Sequence, residues 1–242
     1  MDKQTKQTYQ FAGLIFLITP FLIQIPYTIL IMNFQYPDIL REPTEKILIE
    51  FQKGGSSLIL TWLFFGFAGL PLVYSYLALY QLTKEKSQIA ALVAVIFGIS
   101  ALFFQLIGLL RWVFVVPILT NLYTDINATV GTKEAVIVSF QTIHHLFGVL
   151  IGEHLGQLFT ILWMAINSVL ILKEKKFPKW LGSFGLFSSI IYILAQTELL
   201  SLVIPEISEI PFAGLIGSLC WLLWMVILGY YMFKKEETNA VL

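Results

Sequence analysis

The three histidines of this chain, His144, His145 and His154, all lie in the stretch HHLFGVLIGEHLGQ, with one carboxylate, Glu153, and glycines at 148, 152 and 156. Histidine beside glutamate could ligate a metal, hold a haem or move protons, and the spacing discriminates among these. Ligands of a mononuclear metal converge within little more than about 2 Å of the ion. His145 and Glu153 stand eight positions apart, about 12 Å of helical rise, and cannot share an ion unless the helix breaks at Gly148 or Gly152. The HExxH pattern, which puts two histidines on one helical face, is absent. Bis-histidine haem ligation across a bundle wants two helices, and one segment carries every histidine here. A lone cysteine, Cys220, excludes an internal disulfide and a cysteine-based zinc site. Ser139, Ser201 and Ser218 lack a GxSxG elbow. The sequence therefore gives no metal and no cofactor, and leaves one enzymatic route, Glu153 as acid or base with His145 or His154 assisting.

At about 100° per residue, Gly148, Gly152 and Gly156 form one helical ridge, a small-xxx-small seam along which another helix can pack closely. Beside it runs a polar ridge that includes Gln141, His145, Glu153 and Gln157. His154 falls well away from this face on a regular helix.

The elements that position these residues follow from composition. Of 242 residues, 57 % are hydrophobic and only 12 % charged, and mean hydropathy is +0.81; a soluble domain is about a quarter charged. This surface must face lipid. The formal net charge is zero, which gives no reason to expect a nucleic-acid partner. Crossing about 30 Å of hydrocarbon takes roughly 20 apolar residues, and six runs qualify, at about 9–33, 57–80, 88–117, 150–172, 180–204 and 211–233. The expected fold class is all-α: a single polytopic domain over 1–242 with six transmembrane helices and short outer amphipathic helices.

Basic residues orient the bundle. Lys3, Lys6, Lys84, Lys86, Lys173, Lys175, Lys176, Lys179, Lys234 and Lys235 gather on one side, against Arg41, Lys46, Lys53 and Lys133 on the other. The positive-inside rule then puts the N- and C-termini in the cytoplasm. Outside, FQYPDILREPTEKILIEFQKGG predicts a short amphipathic helix opened by Pro43, with Ile47, Leu48 and Phe51 on one face and Gly54–Gly55 at its end. Residues 133–172 as one helix would be about 60 Å long, twice the hydrocarbon thickness. A break between Gly148 and Gly152 is expected, with His144 and His145 at the outer water interface.

Charged groups inside spans cost a few kcal/mol and default to function. Counted from the cytoplasmic ends, Arg111 lies about 34 Å along its helix, Glu153 about 30 Å, Glu198 about 28 Å and Gln24 about 27 Å. Their shared depth predicts one outward-facing polar pocket with Gln157, in which Arg111 is the counter-ion for Glu153, Glu198 or both. Trp112 reads as an aromatic-belt anchor.

FQYPDILREP after the first span, FQKGG before the second, GLLRWVFVVP closing the third and GEHLGQLFTILW in the fourth resemble the bacterial integral-membrane family catalogued as domain of unknown function 4386, from about Gln10 to Lys234. The resemblance implies a six-helix bacterial membrane protein, places it in the cytoplasmic membrane and supplies no catalytic residues. It also argues against glycosylation at the Asn127-Ala128-Thr129 sequon. The leading expectation is a protein that binds or transports a small molecule or lipid through the outward pocket. The alternatives are a membrane enzyme using Glu153, or an assembly subunit without a ligand in which the polar groups and glycine ladder hold helices together.

Overall fold

The computed structural model describes residues 3–234, so Lys235 of the charge pattern lies outside the described residues. Among the described residues every regular element is a helix: α1 Lys3–Phe34, a 3-10 turn Asp38–Arg41, α2 Thr44–Ala68, α3 Leu72–Thr83, α4 Gln88–Phe114, α5 Val116–Thr124, α6 Val130–Ile143, a π-helix His144–Leu155, α7 Gly156–Lys173, α8 Lys179–Leu194, α9 Gln196–Ser201 and α10 Ala213–Phe233. Six stretches are long and apolar enough to cross a membrane: Gln4–Phe34, Thr44–Thr83, Gln88–Thr124, Val130–Lys173, Lys179–Ser201 and Ala213–Phe233. They contain the expected spans nearly whole, and the chain is a multi-pass membrane protein.

Helices alone can cross lipid because each satisfies its own backbone polar groups. The interruptions sit at residues that disturb that ladder. Gly55, at φ 54° and ψ −150°, adopts a conformation that only glycine takes without strain, and turns the Pro43-opened part of α2 into its spanning part. Ile47, Leu48 and Phe51, the apolar set of the first part, are buried. Pro71 has no N–H to continue α2, which ends at Ala68. Pro117 occupies the first turn of α5, where a missing N–H is harmless, and α4 stops before it.

The expected break in the long helix takes another form. Residues 130–173 stay helical for 44 residues, but from His144 to Leu155 the winding is π, with i→i+5 hydrogen bonds. The α-helical angles used to set His154 apart from the polar ridge therefore do not hold there.

The contacts divide into two compact units, one comprising Met1–Phe21, Leu70–Leu102 and Gln157–Leu242, the other Leu22–Gly69 and Phe103–Gly156. In the first, Trp163 packs against Tyr76 at 4.4 Å and Trp224 at 5.4 Å between ring centroids, and the Trp224 indole N–H donates to the Leu181 carbonyl at 3.0 Å. Gly13 and Gly229 let α1 and α10 touch backbone to backbone: a Cβ at Gly13 would stand 2.5 Å from the Phe233 nitrogen. Two lysine-bearing loops of this unit meet at the buried Glu174, which lies 3.5 Å from Lys86 and 3.4 Å from Lys176. In the second unit, Trp62 and Trp112 stack at 5.0 Å and 10°, with Phe34 and Phe51 packed against them. Trp112 is fully buried in this core. It is no belt anchor.

Candidate functional site

The second unit assembles the polar cluster from three places in the sequence. Arg111 comes from the last turn of α4, Glu153 from the π-helix and Arg41 from the 3-10 turn. The glycine ladder explains how a guanidinium fits among them. Gly156, Gly152 and Gly148 run against Gln105, Gly108 and Arg111 of α4. A Cβ at Gly152 would stand 3.0 Å from the Gly108 Cα, and one at Gly148 would stand 2.6 Å from Arg111 Nη2 and 3.2 Å from its Nε. At the other end of the contact, Gln105 Nε2 donates to the Gly156 carbonyl at 3.4 Å. Close approach of the two backbones leaves Arg111 lying along the π-helix, 7 % exposed.

Arg111 is under-partnered. Among the described residues its one hydrogen bond runs from Nη1 to the Gly108 carbonyl in its own helix, and Nε is buried with no acceptor. A guanidinium carries five N–H donors and cannot shed its charge. The Trp112 ring, 5.1 Å from Cζ, offers its π face, a contribution of about 0.5–2 kcal/mol.

Glu153 reaches a different arginine. Its Oε2 accepts from Arg41 Nη2 at 3.0 Å, the two side chains being 20 % and 31 % exposed. It still acts electrostatically on Arg111. Burial raises the Tyr36 phenol above its ordinary value, with the negative charge of Glu153 adding to the effect.

His144 completes the cluster. It is 6 % exposed, stacked on Phe140 at 5.5 Å and edge-on to Trp112 at 6.5 Å. Among the described residues neither ring nitrogen has a well-formed hydrogen bond, and the Leu40 backbone also acts on the ring. The expectation that 144 faces water fails, because its ring is packed inside the second unit. His145 is exposed and its Nδ1 lies 2.9 Å from the Gln141 carbonyl.

Residues 11–229 match the family model "Domain of unknown function (DUF4386)". The chain belongs to the DUF4386 family. No curated protein and no solved structure matched it.

Within this DUF4386 protein the remaining candidates divide between the two units. Gln24 and His154, both half-buried, belong with Arg111 and Glu153 in the second unit; Gln157 and Glu198 belong to the first. There Gln157 Oε1 accepts from Gln196 Nε2 at 2.9 Å, and Glu198 is exposed in the first turn of α9. Arg41, Tyr36 and His144 were missing from the expected set. The first two stand in a loop whose basic residue reads as ordinary outer charge, and no local period links it to position 153.

Proposed function

We propose that this protein resides in the bacterial cytoplasmic membrane with both termini inside, and holds a small molecule or lipid headgroup in an outward-facing polar pocket around Arg111 and Glu153. The observation that carries the reading is the buried guanidinium of Arg111 with a single backbone acceptor. A charge in a span needs a partner, and a partner brought by a ligand satisfies donors that the protein leaves open. Orientation rests on lysine placement. It is supported by the meeting of the Lys86 and Lys176 loops at Glu174, which gives two loops of the basic set one common side.

Native mass spectrometry of the purified protein, with thermal shifts for Arg111→Ala and Glu153→Gln, tests the reading. The wild type is expected to carry a bound small molecule or lipid, and at least one variant to lose it. Unaltered retention in both variants refutes the pocket.

A further inference from the structure

The buried charge of the cluster is the Arg111 guanidinium. The neighbouring carboxylate, Glu153, is bonded to the more exposed Arg41. Beside Arg111 stands His144, its two ring nitrogens buried and without a well-formed hydrogen bond among the described residues. We propose that the pocket's ligand presents an oxyanion, a phosphate or carboxylate group, which binds the open donors of Arg111 with His144 as a further hydrogen-bonding partner. This rests on the pocket reading above and adds the ligand's chemical class.

The geometry suits an oxyanion better than a neutral polar group. Arginine matches two oxygens of one carboxylate or phosphate in parallel hydrogen bonds, and Nη1 is the nitrogen already engaged, leaving the Nε side of the fork without an acceptor. A neutral hydroxyl would satisfy one donor and leave the charge uncompensated in a site walled by Trp112, Phe140 and the backbone of Gly148. Glu153 then acts as a competitor: its charge offsets part of the field at Arg111, and its removal strengthens anion binding.

The test titrates the full-length protein in a maltoside detergent, which has no phosphate of its own, with inorganic phosphate, acetate, dihexanoyl-phosphatidylglycerol and dihexanoylglycerol, by calorimetry at two salt concentrations. At least one oxyanion-bearing probe is expected to bind, more weakly at high salt, and dihexanoylglycerol to bind at least about tenfold more weakly than its phosphatidylglycerol counterpart. Binding of phosphate or acetate alone identifies a free solute, and binding of the phospholipid alone identifies a headgroup; either supports the proposal. Arg111→Met is expected to weaken the oxyanion at least about thirtyfold, as when one partner of a buried charge pair is truncated, and Glu153→Gln to tighten it. Should Arg111→Met not yield monodisperse protein, Gly148→Ala, which pushes the guanidinium aside while keeping its charge, is expected to give the same loss. Equal binding of dihexanoylglycerol and the phospholipid, undisturbed by these changes at Arg111, overturns the oxyanion assignment while sparing the pocket. Absence of binding by every probe, with no molecule retained from purification, overturns both.

Discussion

Replacing Arg111 by methionine separates a ligand-binding arginine from a structural one, because the two roles predict opposite changes in stability. A buried guanidinium carries an effective desolvation penalty of several kcal/mol. Against it stand one charge-assisted hydrogen bond, about 1.5–3 kcal/mol, and the contact with Trp112, about 0.5–2 kcal/mol. These terms nearly cancel, and Arg111 has no carboxylate within ion-pair distance among the described residues. Methionine fills a comparable length with no charge to desolvate, so the ligand-free protein should be unchanged or more stable by about 1–4 kcal/mol, as when a buried ionic group gives way to an apolar one. Were Arg111 instead the keystone of a buried ion pair, its loss would destabilise by about 3–5 kcal/mol. At about 2–4 °C per kcal/mol for a chain of this size, that is a fall of roughly 6 °C or more. Thermal unfolding in detergent, followed by tryptophan emission after any retained ligand is stripped, reads the sign directly. A fall of that size refutes the reasoning. An oxyanion at about a hundred times its wild-type dissociation constant should then raise wild-type stability by about 2.7 kcal/mol, and Arg111→Met, binding about thirtyfold more weakly, by less than about 1 kcal/mol.

Neighbouring substitutions test the contact that seats Arg111. Gly152→Ala drives a methyl onto the Gly108 backbone, 3.0 Å away, and should destabilise by about 1–3 kcal/mol, the usual result of overpacking, seen as a lower unfolding temperature. Gly148→Ala meets the far end of a flexible side chain instead, and should lower stability less than Gly152→Ala while weakening binding more. Trp62→Ala removes a fully buried ring stacked on Trp112 and should cost about 3–5 kcal/mol, with poor expression as the first sign. For orientation, cysteines placed at Lys84 and at Asp125 in a Cys220→Ala background should react with a membrane-impermeant maleimide from opposite sides; labelling of both from one side overturns the topology.

What the sequence made legible is what lipid dictates. Six apolar runs had to be spans because no other structure hides its backbone in hydrocarbon, and Gly54–Gly55 and Pro117 mark two of the places where helices turn or stop. Even the ladder at 148, 152 and 156 was readable, since close backbone contact needs residues without a Cβ. Its partner was not: nothing in local spacing says that these glycines meet Gln105, Gly108 and Arg111. The Arg41–Glu153 bridge joins residues 112 positions apart, and helical depth counting reaches only residues inside spans, so a loop arginine never entered the comparison. Trp112 beside Arg111 resembles a lipid-facing anchor by type and depth. It is buried because Trp62, Phe34 and Phe51 surround it, a fact of tertiary packing with no local trace.

The π winding and the under-partnered arginine belong to one contact, and each is unfavourable alone. A π-helix is rare, occurs mostly as single-turn bulges and gathers at functional sites; here it runs from His144 to Leu155. Along that run its glycines admit α4 so closely that Arg111 loses water and gains only one acceptor. A protein selected for stability alone would place an apolar residue at position 111 and keep the α-helical ladder. Retaining both features is economical if a bound anion supplies the missing charge and acceptors, because its binding energy is then largest where the empty protein is least satisfied. The same logic explains why Glu153 bonds Arg41 instead of Arg111: a carboxylate seated on Arg111 would fill the donors that a ligand needs, whereas one held by Arg41 limits the field of the cluster and leaves those donors open.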